Sequence, residues 1–195
     1  AAVAGVSFDE DGSGSTTLSG NDVDGDDLAY SITEGVNITA TLDGTTITFT
    51  PDQDFNGSES FTATVTDGEF SSSQTFTVTI NAVNDAPTLV AVPGVSFSED
   101  GSSAISLSGS DVDGDDLTYS ISGGTEITAT LDGVNITFTS SQDFNGSEDF
   151  TATVTDGEFS SSQTFTVTVT PVNDAPTLAA VAGVSFDEDG SGSTT

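Results

Sequence analysis

Hydrophobic and polar residues alternate one by one over much of this chain. Phe61, Ala63 and Val65 interleave with Thr62, Thr64 and Thr66, Phe76, Val78 and Ile80 with Thr75, Thr77 and Thr79, and Ile47 and Phe49 with Thr48 and Thr50. A period of two in β-branched and aromatic residues marks strands with one buried and one wet face. No stretch shows a 3.6-residue period, so almost no helix is expected. In residues 1–89 the pattern predicts seven strands, at 3–8, 16–19, 28–33, 38–42, 46–50, 59–66 and 74–81. Asp43–Gly44, Phe55–Asn56–Gly57 and Asp67–Gly68 supply turn chemistry between them. Short strands at this spacing predict an all-β, seven-stranded Greek-key sandwich. Its core would hold Phe8, Leu18, Tyr30, Ile32, Leu42, Phe49, Phe61, Val65, Phe76 and Val78.

The pattern then recurs. FTATVTDGEFSSSQTFTVT occupies 61–79 and 150–168, DVDGDD starts at Asp22 and Asp111, and VNDAP starts at Val83 and Val172. Each offset is the same (150 − 61 = 89). Residues 1–89 and 90–178 differ at 21 aligned positions, and 179–195 copy 1–17 without change. The expected organisation is one repeat at 1–89, a second at 90–178, and the first strand of a further repeat at 179–195, a window on a longer array. A unit of this length can bury its own core, and arrays serve length or repeated binding. The joining segments VNDAPTL, at 83–89 and 172–178, are short and stiffened by Pro87 and Pro176, so the sandwiches are expected to join end to end.

Charge changes the picture. Asp and Glu total 32, while Lys, Arg, His and Cys are absent. Nothing can neutralise phosphate, which argues against nucleic acid and against anionic membrane surfaces. No long apolar run predicts direct membrane insertion. Disulfides and thiolate metal sites are excluded. Crowded carboxylates with no cationic partner must repel, protonate or recruit cations. A uniformly solvated acidic surface is the bland reading, and Asp, Asn and Gly are ordinary turn formers.

The placement of the acids favours a more specific reading. If strands alternate up and down, turns from two repeats converge on the joining segment. One junction would gather Glu10, Asp11, Asp52, Asp54, Asn84, Asp85, Asp111, Asp113, Asp115, Asp116 and Asp156. The equivalent next junction draws on Glu99, Asp100, Asp143, Asn173 and Asp174, and the first repeat carries Asp22, Asp24 and Asp67 where the second has Asp111, Asp113 and Asp156. Clustered oxygen donors without His or Cys suit Ca²⁺ rather than zinc. DVDGDD is not an EF-hand loop, because Gly25 falls at its fourth position and Thr33 at its twelfth.

FDED, DVDGDDLAYSI, TPDQDFNGSESFTATVTDGE and VNDAPTL, in that order, resemble the cadherin-like tandem repeats of large bacterial surface and biofilm adhesins. The similarity to animal cadherins is weaker. The resemblance implies tandem Ig/cadherin-like sandwiches sharing calcium between units. By it, Glu10 matches the early-strand Glu, Asp52 and Asp54 an acidic turn, Asn84 and Asp85 the linker pair, Asp111 and Asp113 a DxD turn, and Asp156 a late Asp. The linker is one residue shorter than the cadherin motif and lacks its leading Asp, which implies one or two ions per junction. Ser141 stands where the first repeat has Asp52, so the second junction is expected to bind less well. The resemblance also implies an extracellular extender that holds a terminal binding domain away from the cell.

Two other functions compete. Identical chains could join into an extracellular filament, because 179–195 offer a first strand that matches 1–17. A carbohydrate-binding module would need exposed aromatic platforms, but there is no Trp, and Tyr30 and Tyr119 read as core. No enzyme is expected, since nucleophile and base options shrink to carboxylates and hydroxyls.

Overall fold

The computed structural model describes residues 3–191, and among them there are strands and turns but no helix. The chain is all-β. Strands β1 (Val6–Asp9), β7 (Ser71–Asn81), β6 (Gly57–Thr66) and β3 (Ala29–Ile32) form one sheet in the order β1-β7-β6-β3. Strands β2 (Gly14–Thr17), β5 (Thr46–Pro51) and β4 (Ile38–Asp43) form another in the order β2-β5-β4. Their inward residues meet in one core. Phe49 on β5 lies 5.1 Å from Phe61 on β6 and 5.9 Å from Phe76 on β7, centroid to centroid. Such tilted and edge-on pairs add roughly 0.5–1.5 kcal/mol each beyond burial.

The alternating pattern located the strands, with instructive shifts. β2 begins and ends two residues before its expected span. Leu18, just past it, is still buried, and its N–H donates to the Thr45 carbonyl at 2.8 Å. Ile38, Ile47, Ala63 and Ile80 belong to the core although the sequence reading omitted them. Phe8, Tyr30, Ile32 and Leu42 are only partly buried against it, and Val65 is half-buried. The β4–β5 loop is Gly44–Thr45, one residue later than expected, with Asp43 opposite Thr46. Gly44 has φ 60°, as a glycine-first two-residue hairpin requires.

β1 runs parallel to β7, with Phe8 opposite Ile80 and Asp9 opposite Asn81. The next residue, Glu10, continues this pairing by donating its N–H to the Asn81 carbonyl at 3.1 Å. The first and last strands of the sandwich therefore end side by side, where the joining segment leaves.

The later residues repeat the plan. β8 (Thr88–Leu89) and β11 (Gly109–Ser110) make a short ladder. β12 (Thr118–Gly123), β15 (Gly146–Thr155), β16 (Ser160–Thr170) and β9 (Val95–Ser98) form a sheet in that order, and β10 (Ser102–Ser106), β14 (Asn135–Ser140) and β13 (Ile127–Asp132) form another. Phe138, Phe150 and Phe165 reproduce the aromatic cluster, with Phe138 5.3 Å from Phe150.

Compact units do not follow the sequence repeats. One comprises Ala1–Thr88, Gly109–Thr118 and Thr155–Ser161, and the other Leu89–Ser108, Tyr119–Val154 and Ser162–Thr195. Residues 179–191, expected to open a further repeat, carry no strand and are exposed. Residues 192–195 of that expected strand lie outside the described residues.

Candidate metal centre

The parallel β1–β7 pairing delivers Glu10 to the start of the joining segment. Glu10 is 4% exposed. Its Oε1 accepts the Val83 N–H at 2.7 Å, while its Oε2 is buried with no hydrogen-bond partner. Two residues on, Asp85 donates its N–H to Asp113 Oδ2 at 2.8 Å, and Asn84 Nδ2 donates to Asp156 Oδ2 at 3.0 Å. The turn carrying Asp113 organises itself around Asp111. Asp111 Oδ1 accepts the N–H groups of Asp113, Gly114 and Asp115 at 2.9, 3.2 and 3.4 Å, the Asx-turn chemistry of short polar side chains. That leaves Asp111 Oδ2 buried and unpaired, as is Asp85 Oδ2.

These contacts lie within the first compact unit. One carboxylate oxygen from each of Glu10, Asp85 and Asp113 falls within 4.8 Å of the others, and an overlapping set joins Asp111, Asp113 and Asp115. Partial burial, together with the carboxylates of Asp54, Asp11, Asp113 and Glu10, pushes the Asp85 carboxyl above its ordinary range. Partial burial also pushes Asp156 up, but hydrogen bonds from the Asn84 side chain and from the backbone of Glu158 and Phe159 outweigh it and hold Asp156 low.

The donor chemistry fits a hard divalent cation. Every candidate donor is oxygen, Lys, Arg and His are absent, and Glu10, Asp85 and Asp111 each carry a buried carboxylate oxygen without a hydrogen-bond donor. An unsatisfied buried acceptor such as Glu10 Oε2 costs about 1–3 kcal/mol. Six to eight oxygens, including carbonyls and water, are the coordination Ca²⁺ takes, whereas Mg²⁺ keeps more of its own water.

The other expected residues divide. Asp11 and Asp54 act on Asp85 through charge, and Asp54 sits in the left-handed region at φ 57°, which Asp tolerates better than most residues. Asp52 is exposed and outside both sets. Asp22 Oδ1 accepts the N–H groups of Asp24, Gly25 and Asp26, and Asp67 Oδ1 those of Glu69 and Phe70. Neither Asp22 nor Asp67 joins a set of three donors among the described residues, and nor does Asp24.

In the second unit Glu99, 7% exposed, repeats the Glu10 contact by accepting the Val172 N–H at 2.6 Å. Asp143, burial, Asp100 and Glu99 push Asp174 up. Asn173 Nδ2 donates to the Asp174 carbonyl at 3.3 Å. No three of these carboxylates meet as closely as the first set among the described residues. In the first unit the closing donors come from the 111–115 turn.

Two features escaped the sequence reading. Asp115 was placed near the junction but not among the ligands. Glu59 and Glu148, one repeat apart, did not figure in it. Glu59 accepts N–H groups from Val36 and Asn37, and Glu148 accepts from Thr125 Oγ1 and from the N–H groups of Thr125, Glu126 and Ile127. The Thr125 hydroxyl and these N–H groups hold the Glu148 carboxyl down to about 2. The only sequence signal was recurrence of the same acid at the same strand position.

The bacterial Ig domain family matches residues 1–81 and again 84–170. No curated protein gives a match. Among solved structures, human protocadherin-24 EC1-2 is 18% identical over 86% of this chain and 95% of that chain, with a TM-score of 0.56. Drosophila N-cadherin EC1-4 is 16% identical over 88% of this chain and 48% of that chain, with a TM-score of 0.57. At these identities the likeness shows the fold alone. An endo-fucoidan hydrolase of glycoside hydrolase family 107 is 22% identical at a TM-score of 0.37, and the chain, 87% covered, spans 27% of its length.

Proposed function

The chain belongs to the bacterial Ig domain family, and on that premise we propose that it is a calcium-rigidified extender repeat of an extracellular bacterial surface or biofilm adhesin. The observation that carries this reading is the convergence of Glu10, Asp85 and Asp113 on one point, with Glu10 Oε2 buried and unpartnered. Bound calcium would supply the positive charge and the oxygen coordination that this chain cannot supply itself. The ligands would be Glu10, Asp85 and Asp113, with Asp111 and Asp115 completing a second position, giving one or two ions.

The protein's own residues prepare the site. Glu10 holds Val83 by its backbone, Asp113 holds the backbone of Asp85, and Asp156 holds the side chain of Asn84. The joining segment is thereby fixed at consecutive residues, and neutralising its carboxylates would lock successive repeats, 1–89 and 90–178, in one orientation. Residues 179–195 would begin a further repeat. A net charge of −32 keeps such an array soluble and extended by self-repulsion. Among the described residues no helix is long and apolar enough to cross a membrane. The proposed setting is extracellular, where calcium modules work at about 10⁻⁴–10⁻³ M.

Small-angle scattering of the 195-residue chain in calcium chloride and then in chelator tests the reading. A single extended shape in calcium that broadens into many shapes in chelator is the expected result. Identical profiles in both would refute it.

A further inference from the structure

β4 (Ile38–Asp43) is the outer strand of its sheet, paired with β5 on one side and with no strand on the other among the described residues. The two-residue loop Gly44–Thr45 makes Asp43 and Thr46 a hydrogen-bonded pair. By alternation Thr41 and Thr39 also turn their N–H and C=O groups toward β5, while Ile38, Ala40 and Leu42 turn theirs outward. Ile38 is already engaged. Its N–H is one of those that the Glu59 carboxylate accepts, and its carbonyl lies against Gly35. That leaves one donor and one acceptor on each of Ala40 and Leu42 at the open edge, without a partner among the described residues. The side chains of these two residues are only half-buried against the core, whereas Ile38 is fully buried.

The second repeat builds the same edge. β13 has the identical sequence Ile-Thr-Ala-Thr-Leu-Asp and the same register with β14. Glu148 accepts the Ile127 N–H at 2.9 Å, and Ala129 and Leu131 are half-buried like Ala40 and Leu42. Sheet edges are ordinarily blunted by Lys, Pro or a bulge. The chain has no Lys, and neither strand contains Pro or a residue in the left-handed region. Although the chain carries 32 acids, this edge is charged only at its last residue, Asp43 or Asp132.

We propose that this edge is a pairing surface for the same strand of a second copy of the chain, running antiparallel with the two-fold axis at Thr41. That register sets Leu42 opposite the partner's Ala40, and Asp43 opposite the partner's Thr39. All four free backbone groups of Ala40 and Leu42 are then satisfied, the half-buried large and small side chains cover each other, and each carboxylate meets a hydroxyl instead of a second carboxylate. An axis at Ala40 would call on the engaged groups of Ile38, an axis at Leu42 would set Ala40 against the Gly44 turn, and an odd shift would put inward side chains against outward ones. The strand is thus self-complementary in one register, which makes its occupant another copy of itself and the contact isologous. Each chain carries the strand twice, so pairing at both strengthens a weak contact. No clustered carboxylate lies on β4 or β13, and the pairing stands apart from the calcium reading.

Disulfide trapping tests the register, because the chain has no Cys of its own. Residues facing each other across the axis occupy a non-hydrogen-bonded position with Cα atoms about 4.5 Å apart, within disulfide reach. Thr41→Cys/Thr130→Cys should therefore give covalent dimers on mild oxidation in chelator. Thr39→Cys/Thr128→Cys, also at exposed positions, should give roughly a tenth as much or less, since these residues face Asp43 and Asp132. Analytical ultracentrifugation of the unaltered 195-residue chain should show association that rises with concentration. It should strengthen toward about 1 M sodium chloride, where the screening length falls to about 3 Å and repulsion between acidic chains fades. Thr41→Asp/Thr130→Asp sets carboxylates against each other at the axis and should weaken association roughly tenfold or more, with circular dichroism showing the sheets intact. A monomer at every concentration and salt, equal trapping by the two cysteine variants, or association that Thr41→Asp/Thr130→Asp leaves unchanged would each overturn the proposal. Trapped dimers beside scattering that is identical in calcium and chelator would refute the calcium reading and leave this edge standing.

Discussion

Replacing Glu10 with Gln should raise stability in chelator and remove most of the stabilisation that calcium gives. The amide keeps the shape and still offers an oxygen to the Val83 N–H, the 2.7 Å contact that positions the side chain. It removes the charge at Oε2, which is buried without a donor beside Asp85 and Asp113. Its NH₂ group can donate to those carboxylates. In chelator the substitution therefore relieves an unsatisfied buried acceptor, worth about 1–3 kcal/mol. At about 4–8 °C per kcal/mol for a domain of this size, the melting temperature should rise by roughly 4–24 °C. In calcium the wild-type chain gains about 2.7 kcal/mol at a hundredfold excess over the dissociation constant, and Glu10→Gln forfeits most of that. Differential scanning calorimetry of both proteins in both buffers gives all four numbers. The reasoning fails if Glu10→Gln destabilises in chelator as much as in calcium, since Glu10 would then be an ordinary structural residue.

Other expectations follow from the same geometry. Phe61→Ala removes a fully buried ring packed against Phe49 and Phe76, and urea unfolding should show a loss of about 3–5 kcal/mol. The Glu148 carboxyl is held down to about 2 from its ordinary 4.5. A depressed folded-state pKa contributes stability above the unfolded value that is lost as pH falls through the folded one. The stability gap between wild type and Glu148→Gln, read by urea unfolding, should be full at pH 7 and close between pH 4.5 and about 2. Asp85 has the reverse sign. Its raised carboxyl contributes stability below the ordinary value of 3.8 that is lost as pH rises through the folded value. In chelator Asp85→Asn should match wild type at low pH and melt above it at pH 7.

The strands were legible because a pleated, half-buried surface writes itself as alternation, and Phe49, Phe61 and Phe76 sit on the inward phase of their strands. Where the pattern was weak the reading slipped. β2 reads Gly-Ser-Thr-Thr, with no large apolar residue, so Leu18 drew the expected strand two residues downstream. The convergence of Glu10, Asp85 and Asp113 followed from strand direction and turn assignment alone. Which acids would instead serve their own turns did not, because Asp22 and Asp111 head the same DVDGDD run and hold their backbones alike. What separates them is the presence of Asp85 and Glu10 beside the second run. The role of Glu59 was hidden for a related reason, since its partners lie at residues 36 and 37 and local sequence says nothing of such a contact.

Crystals of the chain grown in calcium chloride, measured for anomalous scattering, test the central claim most directly. Density should appear about 2.3–2.6 Å from carboxylate oxygens of Glu10, Asp85 and Asp113 and vanish in Asp113→Asn. Ordered carboxylates hydrogen-bonded only to water, with no anomalous peak among them at millimolar calcium, would contradict the account.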